Sequence, residues 1–144
     1  MVVCADTSFL FSLYGNDVHS PRALAWSSRS KSAVFVTELA DYELGNALRF
    51  AEFSKRLLAG QAGVFWAQYE ADRAAGRVRV EVCNLASVVN EAKRLSATHT
   101  LTGGHRGFDV LHVAGALKLG AVQFLTFDGN QKKLAEAEGL DVPL

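Results

Sequence analysis

Val2-Val3-Cys4-Ala5-Asp6-Thr7-Ser8 begins the chain with a short apolar run that ends at an acid and two hydroxyl residues. The β-branched apolar residues predict a first strand over residues 2–5. The apolar stretch from Phe9 to Tyr14 predicts one or two turns of helix directly after it. A strand that passes at once into a helix indicates a fold in which the two alternate.

The same alternation continues through the 144 residues. Hydrophobic periodicity and capping residues predict strands over 33–36, 78–82 and 121–126, and helices from Ser20-Pro21, after Thr37, over 61–75, 85–98 and 108–119, and after Asp128. Residues 101–107 contain three glycines and are predicted to form a loop. We therefore expect a single domain over residues 1–144 with an α/β fold, in which a central parallel sheet lies between two helical layers.

Composition narrows the class of protein. Hydrophobic residues make up 49% and charged residues 21% of the chain, which is ordinary for a globular domain and excludes a disordered or collagen-like chain. A formal net charge of zero argues against binding of nucleic acid through bulk positive charge. Because the sequence has neither a signal-peptide pattern nor an apolar run of membrane-spanning length, we expect a cytoplasmic protein without a membrane partner.

Two residue types are read as mainly structural. Cys4 and Cys83 lie in apolar strand-like runs outside any C-x-x-C motif, which favours buried reduced thiols over a disulfide or a zinc site. Helical spacing places most aromatic residues of the middle of the chain in the core, namely Phe50, Phe53, Phe65, Trp66 and Tyr69. Any aromatic excess over one small core would mark a partner surface.

Four acids, Asp6, Glu43, Asp109 and Asp128, are distant in sequence, yet each falls where a strand ends or just inside the next helix. In an alternating fold these positions share one edge of the sheet, where ligand sites collect. Two carboxylates about 4 Å apart repel by roughly 4 kcal/mol at an effective dielectric of about 20, and a cation offsets that repulsion. Carboxylate oxygens suit Mg²⁺ or Mn²⁺ better than zinc, so the pattern predicts a metal site able to hydrolyse a phosphodiester.

Each acid taken alone also has a structural explanation. Asp6 and Asp128 can cap helices, Asp109 can complement a helix dipole, and Glu43 can be solvated. Capping gives no reason, however, for a fourth acid deeper in a helix that faces the same edge. The joint pattern therefore favours a site over four unrelated caps.

Several short segments surround the acids in a fixed order: Ala5-Asp6-Thr7-Ser8, Glu43-Leu44-Gly45-Asn46-Ala47-Leu48-Arg49, Asp109-Val110-Leu111-His112-Val113-Ala114 and Leu125-Thr126-Phe127-Asp128, with Leu134-Ala135 and Gly139-Leu140 beyond. Together they resemble the signature of PIN-domain proteins and, more narrowly, of VapC-type ribonuclease toxins of toxin–antitoxin pairs. The resemblance spans essentially the whole chain. It implies a three-layer α/β/α domain, Mg²⁺ or Mn²⁺ dependence, cleavage of RNA, a homodimer and an antitoxin partner.

The resemblance also implies roles for individual residues. Asp6 and Asp109 match the principal metal-binding acids, and Glu43 and Asp128 complete the catalytic pocket. Gly129-Asn130 follows Asp128 where some relatives carry a further acid, so the sequence leaves open whether one or two metal ions bind. Either Thr7 or Ser8 matches the hydroxyl that helps to orient a ligand or a water, and Asn46 matches a residue that supports the ligands.

Three further residues are weaker candidates for contact with a substrate phosphate. His105 and Arg106 lie in a predicted loop immediately before Asp109, where solvated side chains are equally expected. His112 follows Asp109 by one helical turn, but a histidine on a largely apolar helix is more often packed in the core. Both alternatives stay open at this point.

The leading hypothesis is a metal-dependent endoribonuclease that acts as the toxin of a type II toxin–antitoxin pair. The alternative is a non-catalytic PIN-like module that binds or regulates a partner, and the four retained acids count against it. A haloacid-dehalogenase-type phosphatase would need an acid at the position of Ser8. A receiver domain would need a phosphorylatable aspartate where the third strand ends at Val82-Cys83-Asn84.

Overall fold

Four parallel strands form the centre of the computed structural model, which describes all 144 residues. They are β1 (Val3–Ala5), β2 (Val34–Thr37), β3 (Val78–Glu81) and β4 (Gln123–Leu125), and their spatial order is β3-β2-β1-β4. In β1, Cys4 pairs with Phe35 of β2 on one side and with Phe124 of β4 on the other. β1 is therefore a central strand, and whatever follows it lies in the middle of the carboxyl edge of the sheet.

Eight helices connect the strands. They are α1 (Thr7–Tyr14), α2 (Ser20–Arg29), α3 (Glu38–Phe53), α4 (Gln61–Ala74), α5 (Leu85–Leu95), α6 (Leu101–Gly103), α7 (Gly107–Lys118) and α8 (Gly129–Ala137). No helix has both the length and the apolar character that a membrane crossing requires.

Buried apolar side chains fill both faces of the sheet. Successive strand residues point to opposite faces, so Val3 and Ala5 join a cluster with α1 to α4, whereas Cys4 joins a second cluster with α5, α7 and α8. At about 25 cal/mol per Å², burial of apolar surface is the main stabilising contribution of both clusters. The predicted α/β/α arrangement around a central parallel sheet is confirmed.

The segment after α5 differs from the prediction. A helix over 85–98 and a loop over 101–107 were expected, but α5 ends at Leu95 and a π-helical segment, Ser96–Thr100, continues into α6. Helical structure stops only at Gly104, whose φ of 65° is left-handed. The loop prediction was therefore wrong for residues 101–103. Of the two adjacent glycines at 103 and 104, only Gly104 adopts the left-handed φ that ends this helix.

Two predictions of burial also need correction. Both thiols are free, as predicted, but only Cys4 is buried, whereas Cys83 is partly exposed. Phe50 and Phe53 are 57% and 81% exposed, since they lie on the face of α3 opposite the buried Leu48 and Ala51. Tyr69, in contrast, is fully buried, as its spacing predicted.

Four helices directly follow strands at the carboxyl edge of the sheet, and each is capped by a side chain, which in α5 is Asn84. Asp6 accepts a hydrogen bond from the backbone N–H of Phe9 in α1, Thr37 caps α3, and Asp128 caps α8. The capping explanation of Asp6 and Asp128 is thus correct. It does not compete with a functional role, because each cap also fixes an acid at the same edge.

Gly115 lets α7 pack closely against the end of β2. A Cβ atom at this position would lie 2.8 Å from the Thr37 Cγ2 atom, which is closer than such contacts allow. The absence of a side chain therefore brings the start of α7, with Asp109 in its first turn, toward the carboxyl edge.

Candidate functional site

A cavity of about 380 Å³ lies at the carboxyl edge of the sheet. Glu43, Asp109 and Asp128 all line it, together with the hydroxyl residues Thr7 and Ser8. A larger cavity of about 540 Å³ lies at the opposite end of the strands and is lined by none of these residues. Three of the four predicted acids, from three different parts of the chain, therefore meet around one space.

Asp6, the fourth acid, lies beneath this cavity and is fully buried. Its Oδ1 atom accepts hydrogen bonds from Ser8 Oγ at 2.7 Å and from the Phe9 N–H at 2.9 Å, and its Oδ2 atom accepts one from Thr126 Oγ1 at 2.6 Å. Burial raises the pKa of Asp6, and the bonds from Thr126, Phe9 and Ser8 partly oppose that rise. These bonds hold the carboxylate rigidly at the base of the site.

Asp128 is fixed by the first turn of α8. Its Oδ1 atom accepts hydrogen bonds from the backbone N–H groups of Asn130 and Gln131, each at 2.9 Å. Its own N–H donates to Thr126 Oγ1 at 3.0 Å, the same hydroxyl that donates to Asp6. Thr126 therefore links the two acids that follow β1 and β4.

Asp109 is held from the side by Gln131, whose Nε2 atom donates to Asp109 Oδ1 at 3.2 Å. Burial raises the pKa of Asp109, and the negative charges of Asp128 and Glu43 add to this rise. A carboxylate perturbed in this way is stabilised by any cation that enters the cavity.

Glu43 is hydrogen-bonded to His112, which does not line the cavity. His112 is buried, and its Nε2 atom lies 3.1 Å from Glu43 Oε1 and 3.4 Å from Thr7 Oγ1. Burial alone would raise the pKa of Glu43, but the hydrogen bond from His112 leads the opposing effects, and the pKa lies below its usual value. His112 is thus packed in the core, where it hydrogen-bonds Glu43, and it does not line the cavity.

The remaining predicted candidates are not gathered at the cavity. Asn46 is exposed on α3 and does not line it. His105 lines a separate cavity of about 340 Å³ with His99 and Lys133. Arg106 directly precedes α7, and its charge acts to lower the pKa of Asp109.

Sequence reasoning missed several residues that line the cavity. Arg56 is the only Lys or Arg among them, and the His19 ring stacks on Phe127 at 4.6 Å between ring centroids. Gln131 was interpreted only as a capping partner of Asp128. Arg56 and His19 come from the connections around α3 and α2, where no periodicity or motif marks a residue as functional.

The lining fits a hard divalent cation in donor type and in charge. Its ionisable groups are dominated by carboxylates, and the buried Oε1 atom of Gln131 has no hydrogen-bond partner. In this structure no group of three His, Cys, Asp or Glu side chains is close enough together to coordinate one ion. Carboxylates that repel one another are expected to lie farther apart without a cation than with one.

Comparisons with known proteins identify the family and the fold. The sequence profile of the PIN domain matches residues 3–137. No curated protein sequence matches the chain. Among solved structures, Mycobacterium tuberculosis VapC20, described as a Sarcin-Ricin loop cleaving toxin, superposes with a TM-score of 0.69 at 21% identity, over 91% of this chain and 93% of that one.

Two further structures share the fold at lower identity. FitAcB from Neisseria gonorrhoeae has a TM-score of 0.64 at 19% identity, over 98% of this chain and 96% of that one. VapBC2 from Rickettsia felis, solved bound to a DNA fragment from its promoter, has a TM-score of 0.62 at 15% identity, over 99% of this chain and 97% of that one. The profile match covers nearly the whole chain, so this chain belongs to the PIN domain family.

Proposed function

We propose that this protein is a metal-dependent endoribonuclease, the toxin of a type II toxin–antitoxin pair. The observation that carries the proposal is the meeting of Glu43, Asp109 and Asp128 around one cavity above the buried Asp6. Membership of the PIN family and the likeness to VapC20, a Sarcin-Ricin loop cleaving toxin, support RNA as the substrate. A toxin with this substrate would act in the cytoplasm.

The four acids would hold Mg²⁺ or Mn²⁺, with Asp6 and Asp109 as the principal ligands. When bound, such an ion polarises the phosphate and promotes attack by water. The chain's own groups prepare the site: Gln131 holds Asp109 and His112 holds Glu43, each through one hydrogen bond. Each acid is thereby held beside the cavity, and a bound cation would draw the carboxylates closer together.

Arg56 and the His19–Phe127 stack add a positive charge and aromatic surface to the acidic cavity. Arg56 is the single strong cation in a lining otherwise rich in acids, and a phosphate beside the reacting one needs such a partner. Phe127 is stacked between Phe9 and His19, and the partly exposed His19 ring can stack on a base of single-stranded RNA. These groups support a nucleic-acid substrate over a small neutral one.

An antitoxin partner is supported by exposed apolar residues along α3 and the connection that follows it. Tyr42, Phe50 and Phe53 of α3 are more than half exposed, and so is Leu58. Large apolar side chains that a monomer leaves in water are typical of a surface that a partner covers. The resemblance to VapC-type toxins supports, in addition, a homodimer of this chain.

Cleavage of RNA tests the proposal. Purified protein with millimolar Mn²⁺ or Mg²⁺ should cut a structured RNA internally, and chelation should stop the reaction. Asp109→Asn should abolish cutting while circular dichroism shows an unchanged fold, because the amide is a poorer ligand for a hard cation than the carboxylate. Equal cutting by Asp109→Asn and wild type would refute the assignment.

The arrangement of the acids also permits a second candidate, a non-catalytic PIN module, because no preformed three-residue metal site is present. Thermal unfolding separates the two. If the acids bind Mn²⁺, saturation to about a hundred times Kd stabilises the fold by about 2.7 kcal/mol. An unchanged melting temperature at every Mn²⁺ concentration would favour the inert module.

A further inference from the structure

The side chain of Gln131 has one polar atom that nothing satisfies. Gln131 lies in the first turn of α8, is only 4% exposed and lines the acidic cavity. Its Oε1 atom is buried and has no hydrogen-bond partner. An unpaired buried acceptor destabilises a protein by about 1–3 kcal/mol, so such an atom needs an explanation.

The orientation of the amide group follows from its neighbours. Nε2 donates to Asp109 Oδ1 at 3.2 Å, and the backbone N–H of the same residue donates to Asp128 Oδ1 at 2.9 Å. Turning the amide over would place Oε1 against the Asp109 oxygen, and two acceptors repel each other. The bond to Asp109 therefore assigns Nε2 to that side of the amide and leaves Oε1 as the unpaired end of the same group.

We infer that Gln131 supplies a carbonyl oxygen ligand to the divalent cation that these acids bind. A carboxamide oxygen is a hard donor of the kind that Mg²⁺ and Mn²⁺ accept. Because it is neutral, it adds a ligand without adding to the repulsion among Glu43, Asp109 and Asp128. The ion would also satisfy the one polar atom of Gln131 that the protein leaves unpaired. The inference rests on the proposed function.

Isothermal titration with Mn²⁺ alone, at neutral pH, tests it with two substitutions. Gln131→Met keeps the length of the side chain but removes both polar atoms, and we expect Mn²⁺ affinity to fall about 10- to 100-fold. Gln131→Glu keeps an oxygen at the same place but cannot donate to Asp109, and we expect it to bind Mn²⁺ at least as tightly as wild type. Because the added negative charge also attracts Mn²⁺, anomalous scattering from Mn²⁺-soaked wild-type crystals separates a ligand from a group that only positions Asp109. We expect Gln131 Oε1 within about 2.0–2.3 Å of the ion, and an ion held by the acids with Oε1 outside that range would overturn the inference.

Gln123→Met is the matched control. Gln123 lies on β4 outside the cavity and donates to Asp141, so the same chemical change there should leave Mn²⁺ affinity unchanged. Wild type that binds Mn²⁺ together with a Gln131→Met variant that binds it equally well would overturn this inference alone. Wild type that binds no Mn²⁺ would overturn the metal-dependent function and this inference with it.

Discussion

Replacement of His112 by leucine should reveal how strongly the protein holds Glu43. The substitution removes the hydrogen bond of 3.1 Å from a nearly inaccessible imidazole to a carboxylate whose side chain is 34% exposed. A bond to a charged group contributes about 1.5–3 kcal/mol, and the partial exposure of Glu43 favours the lower end. Leucine also removes the unpartnered Nδ1 atom, which offsets part of the loss. We expect His112→Leu to lower the free energy of unfolding by about 1–2 kcal/mol.

Urea unfolding without metal measures this loss, and His112→Gln is the control. The Nε2 atom of glutamine is as many bonds from Cα as that of histidine, so this variant should recover most of the stability. Because the pKa of Glu43 lies below its usual value in the folded protein, the stabilisation is present at neutral pH and is lost as the pH falls. The gap between wild type and His112→Leu should therefore narrow below about pH 4. Equal stability of the leucine and glutamine variants at neutral pH would show that the bond contributes nothing.

Two further predictions concern packing and thiol chemistry. Gly115→Ala should lower the free energy of unfolding by about 1–3 kcal/mol, because its Cβ would lie 2.8 Å from Thr37. Gly129→Ala is the control, since open space surrounds that position, and it should leave stability unchanged or raise it by up to about 1 kcal/mol. Equal urea midpoints for the two variants would contradict the close packing of α7. Burial raises the pKa of Cys4 to about 12, so its thiol stays protonated, and iodoacetamide at pH 8 should modify only the partly exposed Cys83 of the folded protein. Mass spectrometry showing both cysteines alkylated at one rate without denaturant would refute this.

The alternation of strands and helices was predictable because its signals are local. The apolar run before Asp6, the cap at Thr37 and the cap at Asp128 each lie within a few residues of the structure they specify. Parallel topology then places the three strand ends at one edge without any knowledge of long-range contacts. For this reason the acids could be assigned to one edge of the sheet.

What the sequence could not show depends on packing between distant segments. Glu43 and His112 are 69 residues apart, and they meet because Gly115 allows α7 to approach β2. The partner of Gln131 depends on where α7 and α8 come together. The exposure of Phe53 likewise depends on which face of α3 the other helices leave uncovered. Periodicity describes one helix at a time and cannot supply such contacts.

A crystal structure with Mn²⁺ tests the central claim most directly, since anomalous scattering locates the ion without assumptions about its ligands. We expect one strong anomalous peak at the acidic cavity, within about 2.0–2.3 Å of oxygen atoms of Asp6 and Asp109, with Asp128 and Glu43 beside it. A peak elsewhere on the protein, or an empty cavity at saturating Mn²⁺, would contradict it.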